Sequence, residues 1–154
     1  MTCAAIMTAD PLRLAEDDSV AKAADALVQH RYINLPVTDK AGRFLGMFGI
    51  YDLLSLLVPR VALAGDLLPN LRFIGDDPEA LRTKFQAVKT KHVGASCDRQ
   101  AVVLHPDTPV IEALRLFCQN HTTLAVVERD ARKLVGIVSY WDAIRVIANE
   151  APSA

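Results

Sequence analysis

The sequence contains few cysteines and has almost no net charge. Its three cysteines, Cys3, Cys97 and Cys118, are odd in number and show no Cys-x-x-Cys spacing. This pattern argues against a disulfide framework or a zinc site and favours reduced thiols in the cytosol. With 17 basic and 18 acidic residues the formal net charge is −1. No overall field therefore attracts nucleic acid or an anionic membrane surface.

The sequence also lacks a long uninterrupted apolar run. The longest mostly apolar stretch, Leu53 to Ala64, contains Pro59 and Arg60, and it is too short and too polar to cross a bilayer. The N-terminus shows neither the basic segment nor the apolar core of a signal peptide, so we expect a cytoplasmic protein. Hydrophobic residues still make up 51% of the 154 residues, which predicts that a partner covers part of the surface.

The most informative feature that is present is an internal repeat. Read from the sequence alone, the two copies lie 90 residues apart and align without a gap. Such a repeat dictates the architecture of a chain, and two copies predict a pseudo-symmetric pair with a cleft where like surfaces meet. The anchoring pairs are Leu14 and Leu104, Val20 and Val110, Val37 and Val127, Gly46 and Gly136, and Asp52 and Asp142.

Each copy is predicted to form strand, helix, strand, strand and helix, which is a mixed α/β (α+β) fold. In copy one, apolar residues from Val20 to Val28 recur at the spacing of a helix with one buried face. Thr108 is a candidate N-cap in copy two, with Pro109 at the first helical position. The copy-two stripe is Val110, Leu114, Phe117 and Cys118; strands are predicted near 12–15, 34–38, 43–49, 124–127 and 133–139, and short helices near 51–58 and 141–148.

A further helix is predicted between the copies. Asp77 offers a capping side chain, Pro78 suits the first turn, and apolar residues follow at helical spacing, which predicts a helix at about 78–90. Its basic side chains form either a solvated face, which we favour, or a docking surface for an acidic partner. We divide the chain into a first repeat (1–58), an inserted helical linker (59–96), a second repeat (97–149) and a C-terminal tail (150–154).

The ordered motifs resemble the cystathionine-β-synthase (CBS) domain, here as a tandem pair called a Bateman module. The resemblance rests on Leu35-Pro36-Val37-x-Asp39 and on Gly136-x-x-Ser139-x-x-Asp142, and it covers about residues 4–58 and 97–149. It implies two small sheets, each with two helices, that pair into a pseudo-twofold disc. It also implies a regulatory role, in which the clefts bind adenine nucleotides or adenosyl ligands and occupancy changes the state of a partner.

The candidate ligand contacts lie mainly in copy two. A helix N-terminus presents free N–H groups to a phosphate, and the resemblance assigns a phosphate contact to Ser139 and a ribose contact to Asp142, with Gly136 in register. A carboxylate has the two oxygens that a ribose diol needs as acceptors. The alternative is that Ser139 and Asp142 form only a capping box, which requires no ligand.

Copy one departs from this pattern. Gly49 replaces the hydroxyl residue while Asp52 is retained, so the cleft at Asp52 is expected to bind more weakly or not at all. The basic residues that often precede the second strand in nucleotide-binding members are missing. Arg31 and His121 lie further back, where a helix C-terminus also favours a cation. We therefore expect AMP, another adenine nucleotide or a phosphate-free adenosyl ligand such as S-adenosylmethionine, rather than a triphosphate.

The remaining contacts follow from the resemblance alone. The adenine is expected to lie against the end of the first strand, at His105, and the start of the second, at Thr122, Thr123 and Leu124. Catalysis has little support, because the four histidines show no metal-ligand spacing and none is placed beside Ser139. We therefore predict a protein without enzymatic activity, resident metal or required cofactor.

Two hypotheses about function remain open. The first is a homodimeric sensor of an adenine nucleotide or adenosyl ligand that acts on a separate partner. The second is a dimerisation or docking scaffold that has lost ligand binding. The retained Ser139 motif favours the first. The apolar short helices after Gly46 and Gly136 predict the dimer interface in both cases.

Overall fold

The computed structural model describes residues 1–58 and 77–148. The part of the predicted linker before Asp77 and the predicted tail at 150–154 lie outside the described residues. The division of the chain at residues 58, 96 and 149 stays a prediction. The mixed α/β class and the two-repeat architecture are confirmed.

Five α-helices form within the described ranges, and two of them belong to each repeat. Their ends fall within one or two residues of the predicted ones, because the apolar spacing and the capping residues that predict them also stabilise them. The helix between the repeats is shorter at its C-terminus than predicted. The helices are α1 (Val20–His30), α2 (Ile50–Leu57), α3 (Pro78–Val88), α4 (Val110–Asn120) and α5 (Tyr140–Ile147).

Side chains cap the N-termini of α1 and α3. The Ser19 hydroxyl accepts a hydrogen bond from the Lys22 N–H at 3.1 Å, and the Asp77 carboxylate accepts one from the Ala80 N–H at 2.7 Å. The prediction for Thr108 was wrong. Pro109 is the N-cap of α4, because the Thr108 hydroxyl instead accepts a hydrogen bond from the His105 N–H at 2.9 Å and closes the preceding turn.

The strands form two small sheets, one for each repeat. The first sheet has the order β2-β3-β4, and the second has the order β1-β7-β6-β5. In both sheets the first strand of the repeat runs parallel to the second, and the hairpin is antiparallel. The strands are β1 (Thr8–Ala9), β2 (Leu14–Ala15), β3 (Asn34–Thr38), β4 (Phe44–Gly49), β5 (Val103–Leu104), β6 (Leu124–Val127) and β7 (Leu134–Val138).

The segment before the first strand of each repeat packs on the sheet of the other repeat. Strand β1 pairs with β7, so that Thr8 lies opposite Ile137. Symmetrically, Asp98 forms a bridge with Met47 of β4, with backbone hydrogen bonds of 2.7 and 3.1 Å. We call residues 2–9 and 92–98 the crossing segments. Residues 2–9 complete the sheet of the second repeat, and residues 92–98 complete the sheet of the first.

The two repeats are not related by a constant offset of 90 residues, which corrects the gapless alignment. In the hairpins Val37 lies opposite Gly46, and Val126, not Val127, lies opposite Gly136. Strand β6 is therefore offset by 89 residues from β3, although the flanking elements keep the offset of 90. Compared with the first repeat, the connection before β6 is one residue shorter and the hairpin turn after it is one residue longer. The two changes cancel, so the overall spacing between the repeats does not reveal them.

The core consists of one apolar cluster in each repeat and a third between the sheets. The crossing segments contribute fully buried side chains to the opposite repeat, with Cys3 beside α4 and α5 and Val93 beside α1. Strand residues such as Phe44 and Ala125 pack between the two sheets. The predicted helical stripes were too wide, because Val28 is 78% exposed and Cys118 is also exposed. The buried residues Val20, Ala23 and Leu27, at steps of three and four residues, face the core.

Gly46 and Gly136, which lie in the strand before each second helix, permit close approach of a crossing segment. A Cβ atom at Gly46 would lie 2.4 Å from the Asp98 carbonyl oxygen, and one at Gly136 would lie 2.7 Å from the Met7 sulfur atom and 3.0 Å from the Thr8 carbonyl oxygen. The repeated glycines are therefore explained by packing. Gly136, predicted as part of the ligand motif, is buried in the β1–β7 pairing.

We expect Gly46→Ala to destabilise the protein more than Gly136→Ala. The first substitution pushes against backbone that is held by two hydrogen bonds, whereas the nearest atom in the second belongs to a flexible methionine side chain. Overpacking of this kind costs about 1–3 kcal/mol, which denaturant unfolding would measure. Met7→Ala should relieve part of the cost of Gly136→Ala and none of the cost of Gly46→Ala, and equal losses in the two alanine variants would contradict the packing argument.

Candidate functional site

Two clefts lie between the repeats, and each is built from both copies. The first, which we call the Ser139 cleft, has a volume of about 270 Å³ and combines the start of α5 with the residues that follow α1. The second, the Asp52 cleft, has a volume of about 300 Å³ and combines the start of α2 with the residues that follow α4. Both volumes are near the lower limit for small-molecule sites. The two clefts have matching architecture, because each combines the start of the second helix of one repeat with the residues that follow the first helix of the other.

At the Ser139 cleft, the predicted capping box is formed. The N–H and the hydroxyl of Ser139 each donate a hydrogen bond of 2.7 Å to Oδ2 of Asp142. In return, the Asp142 N–H donates to the Ser139 hydroxyl at 3.3 Å. Within the described ranges Oδ1 of Asp142 accepts no hydrogen bond. The capping interpretation is thus shown, and one carboxylate oxygen still has capacity for a ligand.

The structure brings two arginines to the Ser139 cleft. Arg31 follows α1 in a left-handed conformation, with φ 53° and ψ 38°, and Arg145 lies in the last turn of α5. Both side chains line the cleft. Sequence reasoning treated Arg31 as an ordinary helix-end cation and did not single out Arg145. A basic residue three positions after the aspartate, on the same face of the helix, was the available signal. The cations of this cleft therefore come from the end of α1 and from α5, and not from the positions directly before the second strand, where the sequence has none.

At the Asp52 cleft the helix cap is reduced to a single bond. Oδ2 of Asp52 accepts a hydrogen bond of 2.8 Å from the Gly49 N–H, and no hydroxyl is available. The Asp98 side chain lines the same cleft. Partial burial raises the pKa of the Asp52 carboxyl above its ordinary value, and the nearby Asp98 carboxylate raises it further, against the lowering effect of the Gly49 hydrogen bond.

Gly49 lacks the hydroxyl of its counterpart Ser139, and packing also requires a glycine at this position. A Cβ atom at this position would lie 2.6 Å from the carbonyl oxygen of Ile33 and 2.7 Å from the Cβ atom of Asn34. These residues begin β3, which pairs with β4 at Gly49. Because backbone and a Cβ atom are the obstacles, a serine there forces the two strands apart.

The structure separates residues that the sequence-based assignment grouped. Thr122 and Leu124, expected beside Ser139, line the Asp52 cleft instead, and Thr123 lines both clefts. His105 lines neither, and its Nδ1 lies 2.7 Å from the Val127 carbonyl oxygen. The physical reason is the exchange between copies, which places the residues after each first helix against the second helix of the other repeat.

One wall is shared by the two clefts. Ile33, Asn34 and Thr123 line both of them. The Asn34 side-chain amide donates a 2.6 Å hydrogen bond to the Thr122 hydroxyl of the other repeat. The Asn34 Oδ1 atom is buried without a hydrogen-bond partner, which is costly for a polar atom.

The described residues offer no metal site, and the thiol of Cys97 is partly buried. In residues 1–58 and 77–148 no group of three His, Cys, Asp or Glu side chains could hold a metal ion. The Cys97 sulfhydryl donates to the Gly94 carbonyl oxygen at 3.6 Å, and burial raises the pKa of this thiol. No helix in the part of the chain that the structure describes is long and apolar enough to span a membrane.

Comparison with known proteins identifies the family. The family description "CBS domain" matches residues 3–59 and 92–149, which together are most of the chain. The protein therefore belongs to the CBS domain family, and its two matches form a tandem pair. The second match begins at residue 92, where the second crossing segment begins.

Relatives with similar sequence or structure share this architecture. An uncharacterized protein of Methanocaldococcus jannaschii, MJ1426, is 23% identical over 152 residues, covering 89% of this chain and 86% of that protein. The protein in the crystal structure of CBSX2 in complex with AMP has 24% sequence identity to this chain. The match covers 96% of both chains and gives a TM-score of 0.70. The CBS domain pair of protein MJ0100, in complex with 5′-methylthioadenosine and S-adenosyl-L-methionine, is 21% identical, covers 97% of both chains and gives a TM-score of 0.65. At these identities the similarity shows the fold.

We expect Gly49→Ser to destabilise the protein although it restores the motif of the other copy. The added Cβ atom would collide with the start of β3, at a cost of about 1–3 kcal/mol. The matched reverse change, Ser139→Gly, creates no collision and removes a cap, which costs only a few tenths of a kcal/mol, roughly, when glycine is the replacement. Thermal unfolding of both variants checks this, and a stabilised Gly49→Ser protein would show that the strands can separate at no cost.

Proposed function

We propose that the protein is a non-catalytic cytosolic sensor that binds an adenine nucleotide, AMP or a close analogue, in the Ser139 cleft and passes its occupancy to a separate partner. The observation that carries this proposal is the convergence of Ser139, Asp142, Arg31 and Arg145 on one cavity of about 270 Å³. A phosphate and a ribose diol need this combination of cations, a hydroxyl and a carboxylate.

Each of these side chains has a definite role in the proposed complex. The free Oδ1 of Asp142 accepts from a ribose hydroxyl, and Ser139 and the N-terminus of α5 meet the phosphate. Arg31 and Arg145 neutralise the phosphate charge, and this favours a phosphate-bearing ligand over a phosphate-free one. Tyr32 and Trp141, which also line the cleft, supply aromatic faces for a purine base.

The related structures support the ligand class. CBSX2 was crystallised in complex with AMP, and the MJ0100 pair with 5′-methylthioadenosine and S-adenosyl-L-methionine. All three ligands share the adenosyl group and differ in charge. The charges that line this cleft therefore guide our choice among them, because the fold alone does not select one.

The second candidate function, a docking scaffold, is favoured by apolar surface on the second helices. Helix α2 has no fully buried residue, and α5 has only one. Tyr51, Leu54, Trp141 and Ile144 are each more than half exposed and occupy matching positions in the two repeats. Such a matched apolar face fits a second copy of the chain. We propose a homodimer on this face, which is compatible with sensing as well as with a scaffold.

We expect Asp142→Asn to weaken AMP binding by about 2 kcal/mol or more, roughly 30-fold. The variant keeps an oxygen for the helix cap but loses the charge-assisted bond to the ribose. The matched variant Asp52→Asn should leave the main AMP affinity within about twofold of wild type. Isothermal titration calorimetry measures both, and equal losses would contradict the assignment of AMP to the Ser139 cleft.

The arginines allow a sharper control with two ligands. Arg31→Gln and Arg145→Gln should each weaken AMP binding and leave adenosine binding nearly unchanged, because only AMP carries a phosphate. If AMP binds wild type no better than adenosine does, the phosphate assignment is wrong. If neither ligand binds at millimolar concentration, the scaffold is the better description.

We expect Leu54→Arg and Ile144→Arg to convert a dimer into a monomer. Each places a charge in the centre of the proposed apolar interface, where it is desolvated without a partner, and the dimer dissociation constant should rise at least about tenfold. Val28→Arg is the matched control, because Val28 is exposed on α1 rather than on α2 or α5. Sedimentation velocity at tens of micromolar distinguishes the species, and a monomeric wild-type protein would exclude this interface.

A further inference from the structure

A third cavity, separate from both clefts, lies where the hairpin turns of the two repeats meet. We call it the turn pocket. It has a volume of about 310 Å³ and shares no lining residue with either cleft. Strand β3 begins at the clefts with Asn34 and ends at Thr38, beside this pocket, so the pocket lies at the opposite end of the strand. Its lining residues are Asp39, Arg43, Phe44, Leu45, Arg99 and Arg132.

Backbone hydrogen bonds hold the two hairpin turns against each other. The Phe44 N–H donates to the Arg132 carbonyl oxygen at 2.8 Å, and the Leu134 N–H donates to the Gly42 carbonyl oxygen at 3.1 Å. These reciprocal bonds show that Gly42 and Arg132 occupy equivalent positions in the two turns. The pocket is therefore built on a fixed junction between the repeats rather than on one independent loop.

Two of the three arginines in the pocket are held in place by a single hydrogen bond each. Nε of Arg43 donates to Oδ2 of Asp39 at 2.7 Å, and Nη2 of Arg99 donates to the Gly94 carbonyl oxygen at 2.9 Å. Within residues 1–58 and 77–148 the Arg132 guanidinium has no hydrogen-bond partner. Each guanidinium carries five N–H donors, so all three retain donors for a ligand.

The one acidic side chain of the pocket is already engaged by its own turn. Oδ1 of Asp39 accepts hydrogen bonds from the Ala41 and Arg43 N–H groups at 2.9 and 3.0 Å. These bonds, led by the one from the Arg43 N–H, lower the pKa of Asp39, so the carboxylate stays ionised at neutral pH. With three arginines and one aspartate, the described lining carries a net charge of +2.

The other repeat provides an internal control for this cluster. The residue equivalent to Arg132 is Gly42, and the residue equivalent to Arg99 is Ala9, because the residues directly before them pair with equivalent strand positions. The repeat architecture therefore forms without a cation at either position. The fold does not require these two arginines, so their convergence on one pocket calls for another explanation.

The backbone at Arg132 supports the same conclusion. Arg132 has a φ of 54° and its equivalent Gly42 a φ of 80°, so both lie in the left-handed region. Glycine adopts this conformation readily, whereas a residue with a Cβ atom does so at a cost in free energy. An arginine therefore occupies a position that favours glycine, and its side chain lines the pocket.

We propose that the turn pocket is a binding site for a phosphate group. A phosphate ester carries about two negative charges at neutral pH, which matches the charge of the lining, and the planar guanidinium fork pairs two N–H donors with two phosphate oxygens. All three arginines are exposed, so the rest of the ligand extends into solvent. The site is independent of the proposed function, because it shares no residue with the Ser139 cleft.

The test follows backbone amides of the full chain by ¹H–¹⁵N correlation spectroscopy during titration with inorganic phosphate. Sodium chloride at the same ionic strength is the reference, since it reproduces screening without a specific site. We expect the amides of Gly42, Arg43, Arg99 and Arg132 to shift with one common dissociation constant. Phosphate that enters the Ser139 cleft is recognised separately, by shifts at Ser139.

The decisive variants give each arginine the residue of the other repeat. Arg99→Ala and Arg132→Gly should each weaken phosphate binding about fivefold, near the upper value for a charge pair that solvent reaches. Arg132→Gly breaks no described side-chain hydrogen bond, so it decides the question if Arg99→Ala fails to fold. Lys40→Ala is the matched control, because it removes a cation from the same turn that does not line the pocket, and it should change binding less than about twofold.

Two sources can supply such a phosphate group, a small metabolite and a phosphorylated side chain of another protein. Glycerol 3-phosphate represents the first, and a glycine-flanked phosphoserine peptide with blocked ends represents the second. The probe that binds more tightly identifies the source. The same peptide with aspartate in place of phosphoserine should bind roughly fivefold more weakly or worse, because it carries one charge fewer.

Several outcomes would overturn the proposal. They are amide shifts in the turn pocket no larger than those in sodium chloride, equal weakening by Lys40→Ala and Arg132→Gly, and an aspartate peptide that binds as tightly as the phosphoserine peptide. Failure of the proposed function looks different. In that case AMP leaves the amides of Ser139 and Asp142 unshifted, while inorganic phosphate still shifts those of the turn pocket.

Discussion

The backbone pairing between each crossing segment and the opposite sheet is the interaction on which the rest of the structure depends. Asp98 and Met47 exchange hydrogen bonds of 2.7 and 3.1 Å, and Thr8 and Ala9 extend the second sheet in the symmetric position. This pairing gives hydrogen-bond partners to backbone N–H and C=O groups at the edge of each sheet, which would otherwise have none within the protein. It also buries Cys3 and Val93 in the core of the repeat that they do not precede. Neither repeat can therefore be removed without damaging the core of the other.

The same exchange determines where the clefts lie and which residues line them. Since Thr8 pairs beside Ile137, it enters the Ser139 cleft, and Asp98 enters the Asp52 cleft for the same reason. Each cleft thus combines the second helix of one repeat, the end of the first helix of the other, and a crossing segment. A substitution in one copy acts in the cleft of its neighbour. The charge of each cleft can consequently diverge although the motifs around Asp52 and Asp142 remain similar.

The Ser139 motif caps a helix and also forms part of the proposed ligand site. Its hydroxyl and carboxylate close the N-terminus of α5, and Oδ1 of Asp142 accepts no hydrogen bond from the described residues. A cap that is already formed holds Asp142 in a fixed rotamer, which lowers the entropy lost when a ligand binds. In the Asp52 cleft, the closer approach of β3 requires a glycine, and the cap keeps one hydrogen bond.

The sequence by itself determined the tandem repeat, the strand and helix order, most helix ends and the family. These depend on local signals, such as the apolar spacing from Val20, the cap at Ser19 and the Leu-Pro-Val and Ser-x-x-Asp motifs, which act over a few residues. Tertiary structure alone decided the one-residue shift of β6, because two compensating changes of loop length leave the overall spacing intact. It also decided the composition of the clefts. Arg31 and Arg145 are 114 residues apart in the chain, and no local pattern brings them together. They meet because the crossing segments force the two repeats to face each other, and side chains that converge through such long-range packing are not encoded in any short stretch of sequence.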